Sequence, residues 1–212
     1  MFYIENPSKA LRFGDILQGY CYTTPIIEEP VLNGSFSKYE ISVDFPLFSA
    51  LMSPCCQIER GTIALSPLIP IRSSIFANPY LADDLTRINK KVTPQQAIPP
   101  RAWEAMDEQE RQKREAKGLA YAFPYLFVFE KHIKLPEYNI DRQEGNITTG
   151  CYMVDFKNIT KIACEQIKSQ EEAPLESKIL ELSVETRKVL GDKLASYFGT
   201  LAPEDMALLE TT

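Results

Sequence analysis

Tyr39, Ile41, Val43 and Phe45 alternate strictly with Glu40, Ser42 and Asp44. Successive side chains on an extended chain point to opposite faces, so "YEISVDF" predicts a strand with one apolar and one polar face. Such a strand is expected to lie half-buried. Pro46 should interrupt it, because proline brings no N–H to a ladder. The run Leu47 to Met52 reads as a second strand buried on both faces, and Ser53-Pro54-Cys55-Cys56 as the corner that follows. "TIALSPLIPI", residues 62–71, is another apolar strand. Apolar strands joined by short corners argue against a doubly wound sheet and for antiparallel pairing.

The rest of the chain extends this outline. Residues 11–23 read as an opening strand with a Gly14-Asp15 turn signal, and residues 24–37 as a loop with Pro25, Pro30 and Asn33-Gly34. From 73 to 118 the pattern turns helical. Pro99-Pro100 sets up a helix start and Gly118 a helix end. Trp103 and Met106 are expected to be buried there, with Glu110, Arg114 and Lys117 exposed. Residues 119–130 form an aromatic strand, 135–148 a polar loop, and 149–168 two strands or one bent one. The C-terminal part reads as helical, striped by Leu180, Leu182, Val189, Leu190 and Leu194, with Ser183 as a candidate N-cap. The expected fold is α+β: a small, mostly antiparallel β-barrel with a helical insertion and C-terminal helices. Residues 1–72 and 119–170 would build the barrel of a single domain, 73–118 the insertion, and 171–212 helices packed on it.

The 212 residues carry a formal net charge of −6. Residues 1–60 have 4 basic and 7 acidic side chains, residues 61–150 have 12 and 11, and residues 151–212 have 7 and 11. No region has the basic excess that phosphate neutralisation demands of a free-standing nucleic-acid binder. Nucleic acid is therefore expected only through a local patch or a complex, and a protein partner suits the balance better. The start "MFYIENPSKALRFGD" lacks the pattern of a secretory signal, and the apolar stretch "YAFPYLFVF" is too short to span a bilayer. With an odd count of five cysteines, these features predict reduced thiols, a cytoplasmic location and no membrane association.

No segment carries a self-sufficient catalytic motif. G-x-S-x-G, a glycine-rich phosphate loop and H-E-x-x-H are all absent. Zinc wants thiolates in spaced pairs, whereas Cys55 and Cys56 are adjacent and His132, the only histidine, is remote in sequence. The same distance weighs against a cysteine–histidine dyad. Cysteine at a strand end is more simply a small packing residue. Carboxylate pairs such as Glu28-Glu29, Asp83-Asp84 and Glu171-Glu172 lie in polar segments and read as solvated charges. The reading leans away from an enzyme, requires no cofactor, and places partner contacts at Trp103, Met106, Arg111 and Arg114.

"FGDILQGY" resembles the opening strand of the PemK/MazF-type small β-barrel, where a glycine–aspartate pair begins the first strand. "SALMSPCCQIERGTIALSPLIPI", "YMVDFKNITKI" and "LSVETRKVLGDKLASYFGTL" are similar to segments of poorly characterised prokaryotic conflict-system proteins of that barrel type, in the same order over about half the chain. The resemblance implies a barrel. It does not carry over the toxins' catalytic residues: "DFPLFSAL" stands where they have an arginine–proline pair, and Cys56-Gln57 where their relatives have cysteine–aspartate. The function expected is a non-catalytic protein-interaction component of a prokaryotic antiviral defence or toxin–antitoxin-like system. One alternative is a metal-independent endoribonuclease with Asp15 or Glu59 as base and Arg60 or Arg72 on the developing phosphorane. A second is a thiol or zinc sensor using Cys55 and Cys56.

Overall fold

A computed structural model describes residues 1–29, 38–54, 58, 61–77, 79–90, 98, 102–103, 105–116, 123–142 and 145–199. Its strands are β1 (Ile16–Leu17), β2 (Tyr22–Glu29), β3 (Lys38–Asp44), β4 (Ser49–Leu51), β5 (Thr62–Pro67), β6 (Ile69–Pro70), β7 (Leu126–Phe129), β8 (Tyr138–Ile140), β9 (Ile147–Thr149), β10 (Tyr152–Asp155), β11 (Thr160–Ala163) and β12 (Lys178–Leu180). Its α-helices are α1 (Pro79–Asp83), α2 (Glu108–Ala116) and α3 (Val184–Phe198). The chain forms two compact units. A sheet unit takes residues 3–69 and 158–182, and a mixed unit takes residues 1–2, 70–157 and 183 onward.

The sheet unit is built on five antiparallel strands in the order β11-β5-β4-β1-β12. Ser49, Ala50 and Leu51 of β4 are all buried, as a strand covered on both faces requires. Leu11, Leu17, Leu51, Ile58, Ile63, Leu65 and Ile167 form the core. Gly61 leads into β5 with φ 72°, and a Cβ there would stand 3.1 Å from the carbonyl oxygen of Cys164. That carbonyl belongs to the residue whose N–H bonds Gly61 O, so only glycine seats the β5–β11 pair this closely.

Four expectations need correction in this unit. Among the described residues no closed barrel forms; the sheet is open, with β11 and β12 at its ends. The expected loop at 24–37 begins as strand β2, because Thr23, Thr24, Ile26 and Ile27 are β-branched and pair with β3. Residues 178–180, expected to be helical, form β12, where Leu180 pairs with Ile16 and buries its side chain. Leu47 is 71% exposed, so the doubly buried run starts only at Phe48.

In the mixed unit, β7 and β10 pair antiparallel from Tyr152↔Phe129 to Asp155↔Leu126, and every residue of both is buried. Asn89, the last residue of a 3-10 helix over Leu85–Asn89, clamps β7: its Nδ2 donates to Val128 O and its Oδ1 accepts from Val128 N, both at 2.7 Å. Residues 135–148, expected to be a loop, contain the β8–β9 hairpin. The N-cap of α3 is Ser183, whose side chain accepts the N–H of Thr186, as its place before an apolar stripe suggests. Mixed α and β structure with several antiparallel sheets is thus the observed class. No described helix is long and apolar enough to cross a membrane.

Candidate functional site

The alternation that singles out residues 39–45 is present as strand β3, but its apolar face is not covered. β3 pairs with β2 alone, in a two-stranded ribbon. Directly opposed residues share a face, and the pairs Thr23↔Val43, Pro25↔Ile41 and Ile27↔Tyr39 make one face apolar. Ile27 is 61% exposed, Tyr39 58%, Ile41 61% and Val43 47%. Phe45 and Leu47, which follow, are exposed at 77% and 71%. The other face is mostly polar: it carries Thr24, Ser42, Glu40, Asp44 and Lys38, the last bonded to Glu28 at 2.6 Å, together with Ile26, 50% exposed, and Tyr22, which is buried. Scattered exposed apolar residues are ordinary, whereas a contiguous apolar face on an ordered strand marks an interaction surface. The half-buried state expected for this strand is therefore corrected: the pattern is amphipathic, and within the sheet unit the apolar side meets solvent.

The same unit holds a buried ionic knot. Lys178 Nζ lies 2.9 Å from Asp15 Oδ2 and 2.7 Å from Glu181 Oε2, and it also donates to Ala10 O at 2.7 Å. Ser8 donates to Glu181 Oε2 from both N (2.7 Å) and Oγ (2.9 Å), and Arg12 N donates to Asp15 Oδ2 at 2.7 Å. Burial pushes the Asp15 carboxyl up to about 6, against the lowering pull of Lys178. Burial also works to raise Glu181, but the hydrogen bonds from Lys178 and Ser8 outweigh it and hold that carboxyl at about 2. Among the described residues, Asp15 Oδ1 is buried with no hydrogen-bond partner. The knot ties residues 8–12, the start of β1 and both ends of β12 together. It is sealed from solvent, which suits a structural lock and gives no route to a substrate.

The mixed unit holds an open groove of about 810 Å³ lined by Phe2, Phe127 and Val189 on its apolar side and by Glu130, Glu185 and Asp192 among its polar residues. Burial raises Glu130, with a further push from Asp84. Behind α3, Lys193 is 4% exposed, and its ammonium donates to Ile88 O. Burial lowers its pKa to about 7.

The structure distributes the sequence-derived candidates widely. Asp15 is 0% exposed inside the knot. Arg72 donates to Asp155 at 2.9 Å in the mixed unit. Cys55, Cys56, Glu59, Arg60 and Lys117 lie outside the described residues. Trp103 is 3% exposed and clusters with Ile98, with Met106 packed against them. That burial packs the indole inside the chain. Glu110 and Arg114, on α2, are half-buried and bond each other at 2.9 Å rather than standing free in solvent. Arg111 is half-buried on the same helix, with its Nε shielded from solvent. Among the described residues no three His, Cys, Asp or Glu side chains gather as metal ligands would.

Comparison with protein-family models, curated proteins and solved structures gave no match. The site therefore rests on its own geometry. Sequence reasoning ended its opening strand at Thr23 and missed the rest of the β2 half, Pro25 and Ile27, because the prolines of 24–37 outweighed the β-branched run. It also missed Lys178 and Glu181, whose signal was an opposite-charge pair within the apolar stretch "KILEL".

Proposed function

We propose that this chain is a non-catalytic protein-interaction component that works by seating a partner on the apolar face of the β2–β3 hairpin. One observation carries the reading: one face of the two-stranded ribbon exposes Ile27, Tyr39, Ile41 and Val43 together, at 47–61%. Covering such side chains recovers about 25 cal/mol per Å² of apolar area, and no described strand beyond β2 and β3 joins the ribbon. Sealing of Asp15 takes one base of the ribonuclease alternative out of reach of an RNA hydroxyl, and Arg72 is engaged by Asp155.

The setting in a prokaryotic defence or toxin–antitoxin-like system, and a small-barrel relationship, come from the resemblance. Their support is that β1, β4, β5 and β11, which fall within "FGDILQGY", "SALMSPCCQIERGTIALSPLIPI" and "YMVDFKNITKI", are neighbours in one antiparallel sheet, whereas β6 and β10 of the latter two segments pair in another. Co-purification from the native host with wild type and with Ile41→Asp tests the reading. A partner retained by wild type and lost with the folded variant is expected. Identical recoveries with both would sink it. Incubation with total RNA provides the enzymatic control, and discrete cleavage products would restore the ribonuclease reading.

A further inference from the structure

We infer that the occupant of the apolar hairpin face is a second copy of this chain, packed face to face about a two-fold axis that crosses the ribbon at Ile41. The inference rests on the reading of this face as an interaction surface and names its partner. Four features of the ribbon point to self-association.

Among the described strands, β2 and β3 pair only with each other. A two-stranded ribbon is marginal in water unless further strands or a second layer cover it. A second ribbon supplies that layer, at the spacing of about 10 Å at which sheets stack. Every molecule carries the same face, and an isologous two-fold contact needs nothing more.

The sizes along the face suit antiparallel self-packing. The bulky pair Ile27–Tyr39 sits at one end, Pro25–Ile41 at the centre and the smaller pair Thr23–Val43 at the other end. A two-fold axis across the strands at the centre sets the Tyr39 end of one copy over the Val43 end of the other, large against small. An axis along the strands would instead set the two bulky Ile27–Tyr39 ends over each other.

Charge does not oppose the contact. Lys38, Glu40 and Asp44 alternate with the apolar residues and point from the far face, and Lys38 is paired with Glu28. With the two layers about 10 Å apart, the acidic side chains of the copies are separated by more than the Debye length of about 8 Å at physiological salt.

The area is sufficient. Pro25, Ile27, Tyr39, Ile41, Val43 and Phe45 are all exposed. At somewhat under 100 Å² of exposed apolar surface each, they offer about 500 Å² per copy and about 1,000 Å² for the pair, the size a biological interface must clear. A dimer at that lower limit is a dynamic one, with dissociation in the micromolar range.

Sedimentation equilibrium on the full chain, from about 1 to 200 μM, is the test. A dimer with micromolar dissociation is expected for wild type and for Glu40→Lys, which alters only the far face. Ile41→Asp and Tyr39→Ser should each weaken it at least tenfold, with unchanged near-UV circular dichroism showing that they fold. Wild type that stays monomeric at the highest concentration overturns the inference, as does a dimer indifferent to both face variants. A monomer that still retains a host protein through Ile41 would leave the interaction reading standing and remove only self-association. A monomer that retains nothing removes both.

Discussion

Lys178 Nζ stands 2.9 Å from Asp15 Oδ2, with both side chains at most 4% exposed. Residues from the two ends of the sheet unit thereby meet where β1 pairs with β12. The contact includes Glu181, so one ammonium serves two buried carboxylates. Removing that ammonium leaves both uncompensated. Lys178→Met should destabilise the sheet unit by about 3–5 kcal/mol, the cost of breaking a buried pair from one side. Adding Asp15→Asn and Glu181→Gln to it should recover a substantial part. Urea melts of the single and triple variants would show this, and equal loss in both would mean that the lysine acts through packing alone.

The knot also makes stability depend on pH in a defined direction. Asp15 has its carboxyl raised from 3.8 to about 6, so its contribution is fully present below 3.8 and is lost as pH climbs through 6. Glu181 is lowered from 4.5 to about 2, so its contribution is present above 4.5 and is lost as pH falls toward 2. The knot is strongest near pH 4 to 4.5 and weakens either way. Between pH 4.5 and 7 the urea midpoint of wild type should fall, by an equivalent of about 1–3 kcal/mol. Asp15→Asn should flatten that slope, and an unchanged slope would remove Asp15 as its source.

In the mixed unit, Lys193 titrates in the opposite sense. Its amine is lowered from 10.5 to about 7, so its contribution is present above 10.5 and lost as pH falls toward 7. The stability of the mixed unit should therefore rise from pH 7 to 10 in wild type and rise less in Lys193→Met. Hydrogen exchange of α3 amides, corrected for the intrinsic rate at each pH, reads this locally. Equal pH dependence in the two proteins would assign the effect to other groups.

Asn89 substitutes for a strand beside Val128, satisfying its buried N–H and C=O at 2.7 Å each. Asn89→Ala leaves a buried donor and a buried acceptor unmet and should cost about 2–4 kcal/mol. Asn89→Asp retains an acceptor for the N–H but places a carboxylate against the carbonyl, and should be no better. A denaturant midpoint within error of wild type for Asn89→Ala would show that water replaces the side chain there.

Local features were legible where a few neighbouring residues decide the outcome. Ser183 caps α3, the run through Ser49–Leu51 is buried on both faces, and Trp103 is enclosed. In each case propensity, capping chemistry or apolar content acts over one or two turns. Misreadings cluster where pairing overrode local signals. β2 forms despite Pro25 because β3 offers it a register of partners, and 178–180 is a strand because Ile16 and Leu17 present an edge to it.

The alternation of residues 39–45 shows where local determination stops. Period two is a property of the extended backbone, so the sequence alone decides that Tyr39, Ile41 and Val43 share a face. Whether that face is covered depends on what the chain brings beside it, and within its unit β3 receives only β2, whose matching side is apolar as well. The knot is the converse case. Nothing in the sequence links Lys178 and Glu181 to Asp15, and only the pairing of β1 with β12 brings these distant segments together, removes water and makes each charge depend on the others. Burial is a property of assembled elements, so local pattern set the faces of this protein and tertiary contact decided which of them went dry.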